Sequence, residues 1–245
     1  MNGIGLKKQR IEYFDLLKGI AIFMVVMGHA LTMCVRGLDA AFLFKLIGQV
    51  HMPVFFFISG YLTYKANADK QFITPGLKKR FIQLIIPFLV ITPLWVWYFP
   101  HSGLQSPLSD NLPDLLRAYW KDGYWFTLCL FELCLIYIPI SAILQRLKGI
   151  FPQIVVLLAA YGILIALSMT FADEEANVDY VGFGLLARFF PMFMMGVMAN
   201  HMKEAFNRLV HNQWALAIAM VVFGVSFYSV VYPWDVWGAD MASMW

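Results

Sequence analysis

The chain reads as a succession of long apolar runs separated by short polar stretches. A membrane-crossing helix needs about 20 largely apolar residues. Runs of that length fall near residues 13–34, 43–64, 81–99, 124–145, 152–171, 181–200 and 213–232. The runs are continuous and do not alternate, and lipid permits only helices or closed barrels. The pattern therefore predicts an all-α, polytopic transmembrane helix bundle of about seven spans. No internal repeat or low-complexity linker divides it, so residues 1–245 are read as one transmembrane domain.

Composition points the same way. The 245 residues are 61% hydrophobic and 13% charged. Globular chains sit near ~45–50% and ~25%, and this much apolar surface cannot hide in a core of this size. That excludes a soluble enzyme. The net charge of +3 carries no suggestion of nucleic acid. The first apolar run lacks a small-residue cleavage site and is expected to stay as a helix.

The placement of the charges gives the runs a direction. Lys7, Lys8 and Arg10 precede the first span. Lys65, Lys70, Lys78, Lys79 and Arg80 follow the second, Arg146 and Lys148 the fourth, and Lys203 and Arg208 the sixth. The alternate loops collect Asp110, Asp114, Asp122, Asp173, Glu174, Glu175, Asp179, Asp235 and Asp240, with only Arg36, Lys45, Arg117 and Lys121 among them. By the positive-inside rule the N-terminus is cytoplasmic and residue 245 lies outside. Trp95, Trp97, Trp120, Trp125, Trp214 and Trp234 at span ends fit interfacial belts.

Ionisable groups inside spans are costly and are functional candidates by default. Here they are Asp15, Lys18, His29, His51, Glu132 and Arg188. Lys18 and His29 are eleven residues apart, so on one helix they lie within about 20° of each other and roughly 16 Å apart along the axis. Asp15 lies near the same face. An interfacial Asp15–Lys18 ion pair is one reading of this spacing, and a functional face is the other. For His29 the alternatives are an interhelical hydrogen bond or proton transfer. His51 should lie at a similar depth on the next helix. A metal or haem pair would need further ligands that nothing supplies, which favours acid–base work over metal binding. Glu132 is either a hydrogen-bonded bundle residue or a catalytic one, and Arg188 is a candidate to pair with it. Ser59 lacks the glycines of a nucleophile elbow, so Ser59-Gly60 reads as small residues that let helices approach. Cys34, Cys129 and Cys134 form no metal-like spacing and read as packing residues.

Five segments resemble the acyltransferase-3 family of membrane acyltransferases. Arg10-Ile-Glu-Tyr-Phe-Asp15-Leu-Leu-Lys18 through to Gly28-His29 resembles its opening helix, where a basic residue, ten intervening residues and a histidine recur; Lys18 replaces the commoner arginine. His51-Met-Pro-Val-Phe-Phe-Phe-Ile-Ser-Gly-Tyr61 resembles the second helix, most like the branch of fucose O-acetylase-like and intercellular-adhesin-type modifiers. Lys78-Lys-Arg80 through Pro87 resembles the basic entry to the third helix, with Gln83 where a second arginine is frequent. Tyr124-Trp-Phe-Thr-Leu-Cys-Leu-Phe131 and Phe189-Phe-Pro-Met-Phe-Met-Met-Gly196 are similar to two later elements.

The resemblance implies transfer of an acyl group, usually acetyl from acetyl-CoA, to a hydroxyl of a cell-envelope carbohydrate in a bacterial inner membrane. It implies His29 as the catalytic histidine and Lys18 as the basic partner facing the donor. Lys78, Lys79 and Arg80 would hold the CoA phosphates. His51 or Glu132 would orient His29, with Asp15 and Arg188 supporting, and no metal is called for. The family usually has about ten spans, so a truncated product, a fragment and a shorter natural variant stay open. The competing readings are a transporter or flippase for a glycan or lipid-linked sugar, with the same polar residues along a route, and an inactive structural subunit beside polysaccharide-synthesis machinery.

Overall fold

The computed structural model describes residues 12–34, 42–64, 76–98, 125–172 and 178–231. Eight helices are assigned: α1 (Glu12–Cys34), α2 (Phe42–Thr63), α3 (Ile86–Tyr98), α4 (Trp125–Leu144), α5 (Ile150–Phe171), α6 (Phe183–His201), α7 (Lys203–Val210) and α8 (Gln213–Val231). Helix also covers residues 76–80 and runs through a π-helical turn, Phe81–Ile85, into α3. Among the described residues there is no β-strand. The all-α reading holds, and its physical basis is simple: in lipid each backbone donor must find its acceptor within its own segment.

Among the described residues five helices, α1, α2, α4, α5 and α6, are long and apolar enough to cross a bilayer. The segment expected as the third span is divided by the π turn, leaving thirteen residues in α3 itself. The segment expected as the seventh span, 213–232, is α8, but the stretch expected as a basic loop before it is not a loop. The stretch after α6 is itself a short, strongly amphipathic helix, α7, bent by 80° from α8. Counting that bent pair as one broken span gives six. Pro53, Pro139 and Pro191 lie inside α2, α4 and α6 without ending them. In a bilayer, neighbouring groups can re-satisfy the carbonyl that proline strands.

The chain divides into two compact units, one of residues 1–58 and 202–245 and one of residues 59–201. In the first, Gly28 of α1 meets Ile47 of α2, where a Cβ at position 28 would lie 3.3 Å from the Ile47 Cγ2. Phe57 and Phe206 pack ring to ring at 6.0 Å.

In the second unit α4 and α6 form the core. Cys129, Leu133 and Tyr137 on α4 and Phe190, Phe193 and Val197 on α6 are buried. Aromatic pairs join the two helices: Trp125 stacks on Phe189 at 5.6 Å, and Tyr137 meets Phe193 edge-on at 6.2 Å. Such pairs add about 0.5–1.5 kcal/mol each beyond area burial. Tyr161 of α5 stacks on Phe190 of α6 with the rings 3° from parallel. The outer face of α5 is apolar and exposed, with Phe151, Leu158, Ile163 and Met169 pointing away from the protein. That surface matches lipid, not water.

Two local devices fix the second unit. The Asp179 carboxylate accepts hydrogen bonds from the backbone N–H groups of Phe183 and Gly184, at 2.8 and 3.0 Å, and so caps the N-terminus of α6. Gly182, just before α6, takes a left-handed φ of 72°. At Gly60 the approach of α2 to α6 is closer still. A Cβ there would fall 1.9 Å from the Phe193 carbonyl oxygen. The pairing of small residues expected at Ser59-Gly60 is thus seen, with glycine as the residue that allows it.

Candidate functional site

α1 runs unbroken from Glu12 to Cys34, so the spacing of Lys18 and His29 is that of a regular helix. Phe14 and Ala21 are buried and Gly28 touches Ile47, which defines the packed stripe of α1. At about 100° per residue, Lys18 and His29 lie within roughly 40–100° of those three positions, at the rim of the stripe. Lys18 is half-buried and His29 is exposed. Asp15, near Lys18, is half-buried as well.

His51 is half-buried on α2, one turn after Ile47. Its ring Nδ1 lies 2.5 Å from the Ile47 carbonyl oxygen. A carbonyl can only accept, so the proton of a neutral ring belongs on Nδ1 and the lone pair on Nε2. Ile47 thus serves twice: its side chain meets α1 at Gly28 and its carbonyl sets the tautomer of His51. Gly28 immediately precedes His29. The two histidines expected on adjacent helices thus lie next to the point where α1 meets α2, His29 one residue after Gly28 and His51 one turn after Ile47.

The remaining candidates belong to the second unit. Glu132 is half-buried on α4, three residues after the fully buried Cys129. The Arg188 guanidinium lies over the ring of Phe189, 5.8 Å from its centroid. Lys78 and Lys79 are exposed.

Arg80 differs from the two lysines before it. It is half-buried, and its guanidinium donates from Nη1 to the Cys134 Sγ and from Nη2 to the Thr63 Oγ1, each at 2.7 Å. Thr63 in turn donates to the Ser59 carbonyl at 2.5 Å. Next to Thr63, the Tyr64 hydroxyl shares a hydrogen bond of 2.6 Å with the His201 Nδ1, and the two rings meet edge-on. Asn200 donates to the Tyr61 carbonyl at 2.6 Å. The basic run 78–80 therefore splits into two solvent-facing lysines and one arginine turned inward. Nothing in the sequence distinguished Thr63, Asn200 or His201, because each is a common residue at the end of a helix or inside one, while Cys134, read as a packing residue, is buried and also accepts from Arg80. Asp179 was legible only as one acid among several in an outer loop.

Lys7, Lys8, Arg10, Arg36, Lys65, Lys70, Asp110, Asp114, Arg117, Lys121, Asp122, Asp173, Glu174, Glu175, Asp235 and Asp240, with Trp120 and Trp234, lie outside the described residues. Among the described residues no group of three histidine, cysteine, aspartate or glutamate side chains is placed to hold a metal ion.

The acyltransferase-3 model, described as an acyltransferase domain, matches residues 11–245. The chain belongs to this family. Two curated relatives carry the name Nodulation protein NolL. One, from Sinorhizobium fredii, is 33% identical over 221 residues, covering 83% of this chain and 55% of the relative. The other, from Mesorhizobium japonicum, is 39% identical over 116 residues, covering 44% of this chain and 31% of the relative. The chain thus spans about half or less of the length of the relatives it matches. No solved structure matches it.

Proposed function

We propose that the chain acts as a membrane O-acyltransferase, moving an acyl group, with acetyl as the simplest case, from acyl-CoA to a hydroxyl of a cell-envelope carbohydrate. Membership of the acyltransferase-3 family supports the reaction class. The observation that carries the residue assignment is the approach of α1 to α2 at Gly28 and Ile47, with His29 one residue after Gly28 and His51 one turn after Ile47.

In this reading His29 is the general base. Its ring takes the proton of the acceptor hydroxyl as the oxygen attacks the thioester carbonyl. A C–O bond forms, the C–S bond breaks, and the imidazolium passes its proton to the departing CoA thiolate, which leaves as the free thiol and returns His29 to its neutral form. General-base catalysis of this kind contributes about 10²–10⁴-fold. His51, with its tautomer held by Ile47, orients His29, and Glu132 is the other candidate for that role. A covalent acyl-histidine is the alternative route.

Lys18, Lys78, Lys79 and Arg80 answer the negative charge of CoA. The positive-inside pattern puts them on the cytoplasmic side, where acyl-CoA is found, and makes a bacterial inner membrane the natural location. The thioester then reaches His29 by the length of the pantetheine arm, along the face of α1. Asp15 and Arg188 are supporting charges. The acceptor meets His29 from the outer side or the lipid interface, in keeping with the exposure of that ring. Residues 1–245 as one catalytic domain, and an association with polysaccharide-synthesis machinery, belong to the same proposal.

The test is acetyl-CoA binding and hydrolysis by the purified, detergent-solubilised chain, wild type beside Lys18→Ala and His29→Ala. The expected pattern is binding by wild type, weaker binding by Lys18→Ala, and retained binding without turnover by His29→Ala. A folded wild type that does not bind acetyl-CoA overturns the assignment for this chain.

A further inference from the structure

Arg80 ends a basic run whose other members face outward, and it stands immediately before a π turn. A π turn holds one residue more than an α turn, so it changes the heading of the residues before it relative to the helix after it. The turn closes with the Ile86 N–H bonded to the Phe81 carbonyl. Next to this turn the Arg80 side chain reaches Cys134 on α4 and Thr63 at the end of α2.

What receives it is specific. The single proton of the Thr63 hydroxyl goes to the Ser59 carbonyl, so the lone pairs of Oγ1 are left to accept from Nη2. The Cys134 sulfur, buried to 3% exposure, accepts from Nη1. Thr63 cannot wander, because its neighbours Tyr61 and Tyr64 are tied to Asn200 and His201 at the end of α6. Both groups that grip the fork are neutral. They fix the plane of the guanidinium without cancelling its charge, unlike a carboxylate in the same place. A planar fork with a fixed heading and an undiminished charge is what bidentate recognition of a phosphate needs.

We propose that Thr63 and Cys134 are positioning residues for the acyl donor: they hold the Arg80 guanidinium, through Nη2 and Nη1, in the orientation that grips a phosphate group of acyl-CoA. The inference rests on the acyltransferase reading and goes beyond it, since it assigns two uncharged residues on α2 and α4 to donor binding and has them act only through Arg80.

The experiment is titration calorimetry of acetyl-CoA into the full chain in detergent, for wild type, Thr63→Val, Thr63→Ser, Cys134→Ala, Arg80→Ala, and each of the Val and Ala variants combined with Arg80→Ala. Thr63→Val is expected to weaken binding about tenfold, as a lost hydrogen bond to a charged group does. Thr63→Ser keeps the hydroxyl and restores wild-type affinity. Cys134→Ala weakens binding less, because a thiol is a poor acceptor. On the Arg80→Ala background neither change has any further effect, since residues that act through one partner do not add. Two results overturn the proposal: Thr63→Val and Cys134→Ala binding as wild type does, or penalties that persist in full without Arg80. Failure of the folded wild type to bind acetyl-CoA is a separate outcome, seen before any variant is compared, and removes the donor reading together with this one. Cys134→Ala gives a second approach to the fork should Thr63→Val not fold.

Discussion

At the scale of single residues, the two histidines are expected to separate cleanly. His51 has one nitrogen committed to the Ile47 carbonyl, and in the proposed mechanism it is the other that orients His29. An asparagine can keep the donor and lose the basic nitrogen. His51→Asn should therefore leave the melting temperature close to wild type and lower acyl transfer about tenfold or more, while His29→Gln loses about 10²–10⁴-fold. Measured turnover by both variants checks the order; equal activity of His51→Asn and wild type removes His51 from the site. Asp179 makes a second, unrelated prediction. Its carboxylate holds two N–H groups of the first turn of α6, and Asp179→Ala should cost about 1–2 kcal/mol, with Asp179→Asn recovering part of it. A thermal melt of the purified variants reads this directly. The candidate histidines were legible from their place in apolar runs, where a titratable group is costly enough to demand a reason. The role of Asp179 was not, because an acid in a loop looks the same whether it caps a helix or faces water.

At the scale of helices, long apolar segments are the strongest signal a membrane protein offers, and the boundaries of α2, α4 and α6 fall within two residues of those read from hydropathy alone. What hydropathy misses is a change of helical phase or of direction. The π turn at Phe81–Ile85 is as apolar as the helix it enters, so nothing marks it. The amphipathic α7 looked like a basic loop because it is too short to show its periodicity against a polar background. Close helix approach is legible only as a hint, since Ser59-Gly60 says that contact is allowed and not what is touched. The structure supplies the object, the backbone of Phe193. A methyl group at position 60 would meet a carbonyl oxygen at 1.9 Å, and a backbone atom in a packed helix cannot swing aside. Gly60→Ala should thus cost about 3 kcal/mol or more, at the upper end of overpacking effects. Gly28 is the instructive contrast. There the obstacle is a side-chain methyl of Ile47 at 3.3 Å, which can give way, so Gly28→Ala should be tolerated. Melting both variants in one detergent tests the difference; a Gly60→Ala protein as stable as Gly28→Ala would mean that α2 and α6 do not approach as described.

At the scale of the whole molecule, the donor assignment depends on direction. Lys18 serves acyl-CoA only if the start of α1 faces the cytoplasm, and that direction comes from the alternation of basic and acidic loops. Cys34 offers a way to read it. It is exposed at the last residue of α1, whereas Cys129 and Cys134 are buried. An impermeant maleimide applied to intact spheroplasts should therefore modify Cys34 selectively, and Cys34→Ser should remove the label. A thiol reacts as the thiolate, so the reaction needs water at that helix end, and an end at the outer interface provides it. Labelling only after the membrane is opened would put Cys34 in the cytoplasm. Lys18 would then lie toward the outer face, out of reach of acyl-CoA, and His29 toward the inner one. The order of the two groups along α1 would be reversed with respect to donor and acceptor. One reagent on one cysteine thus decides whether the cation and the imidazole of α1 face the substrates that their chemistry suits.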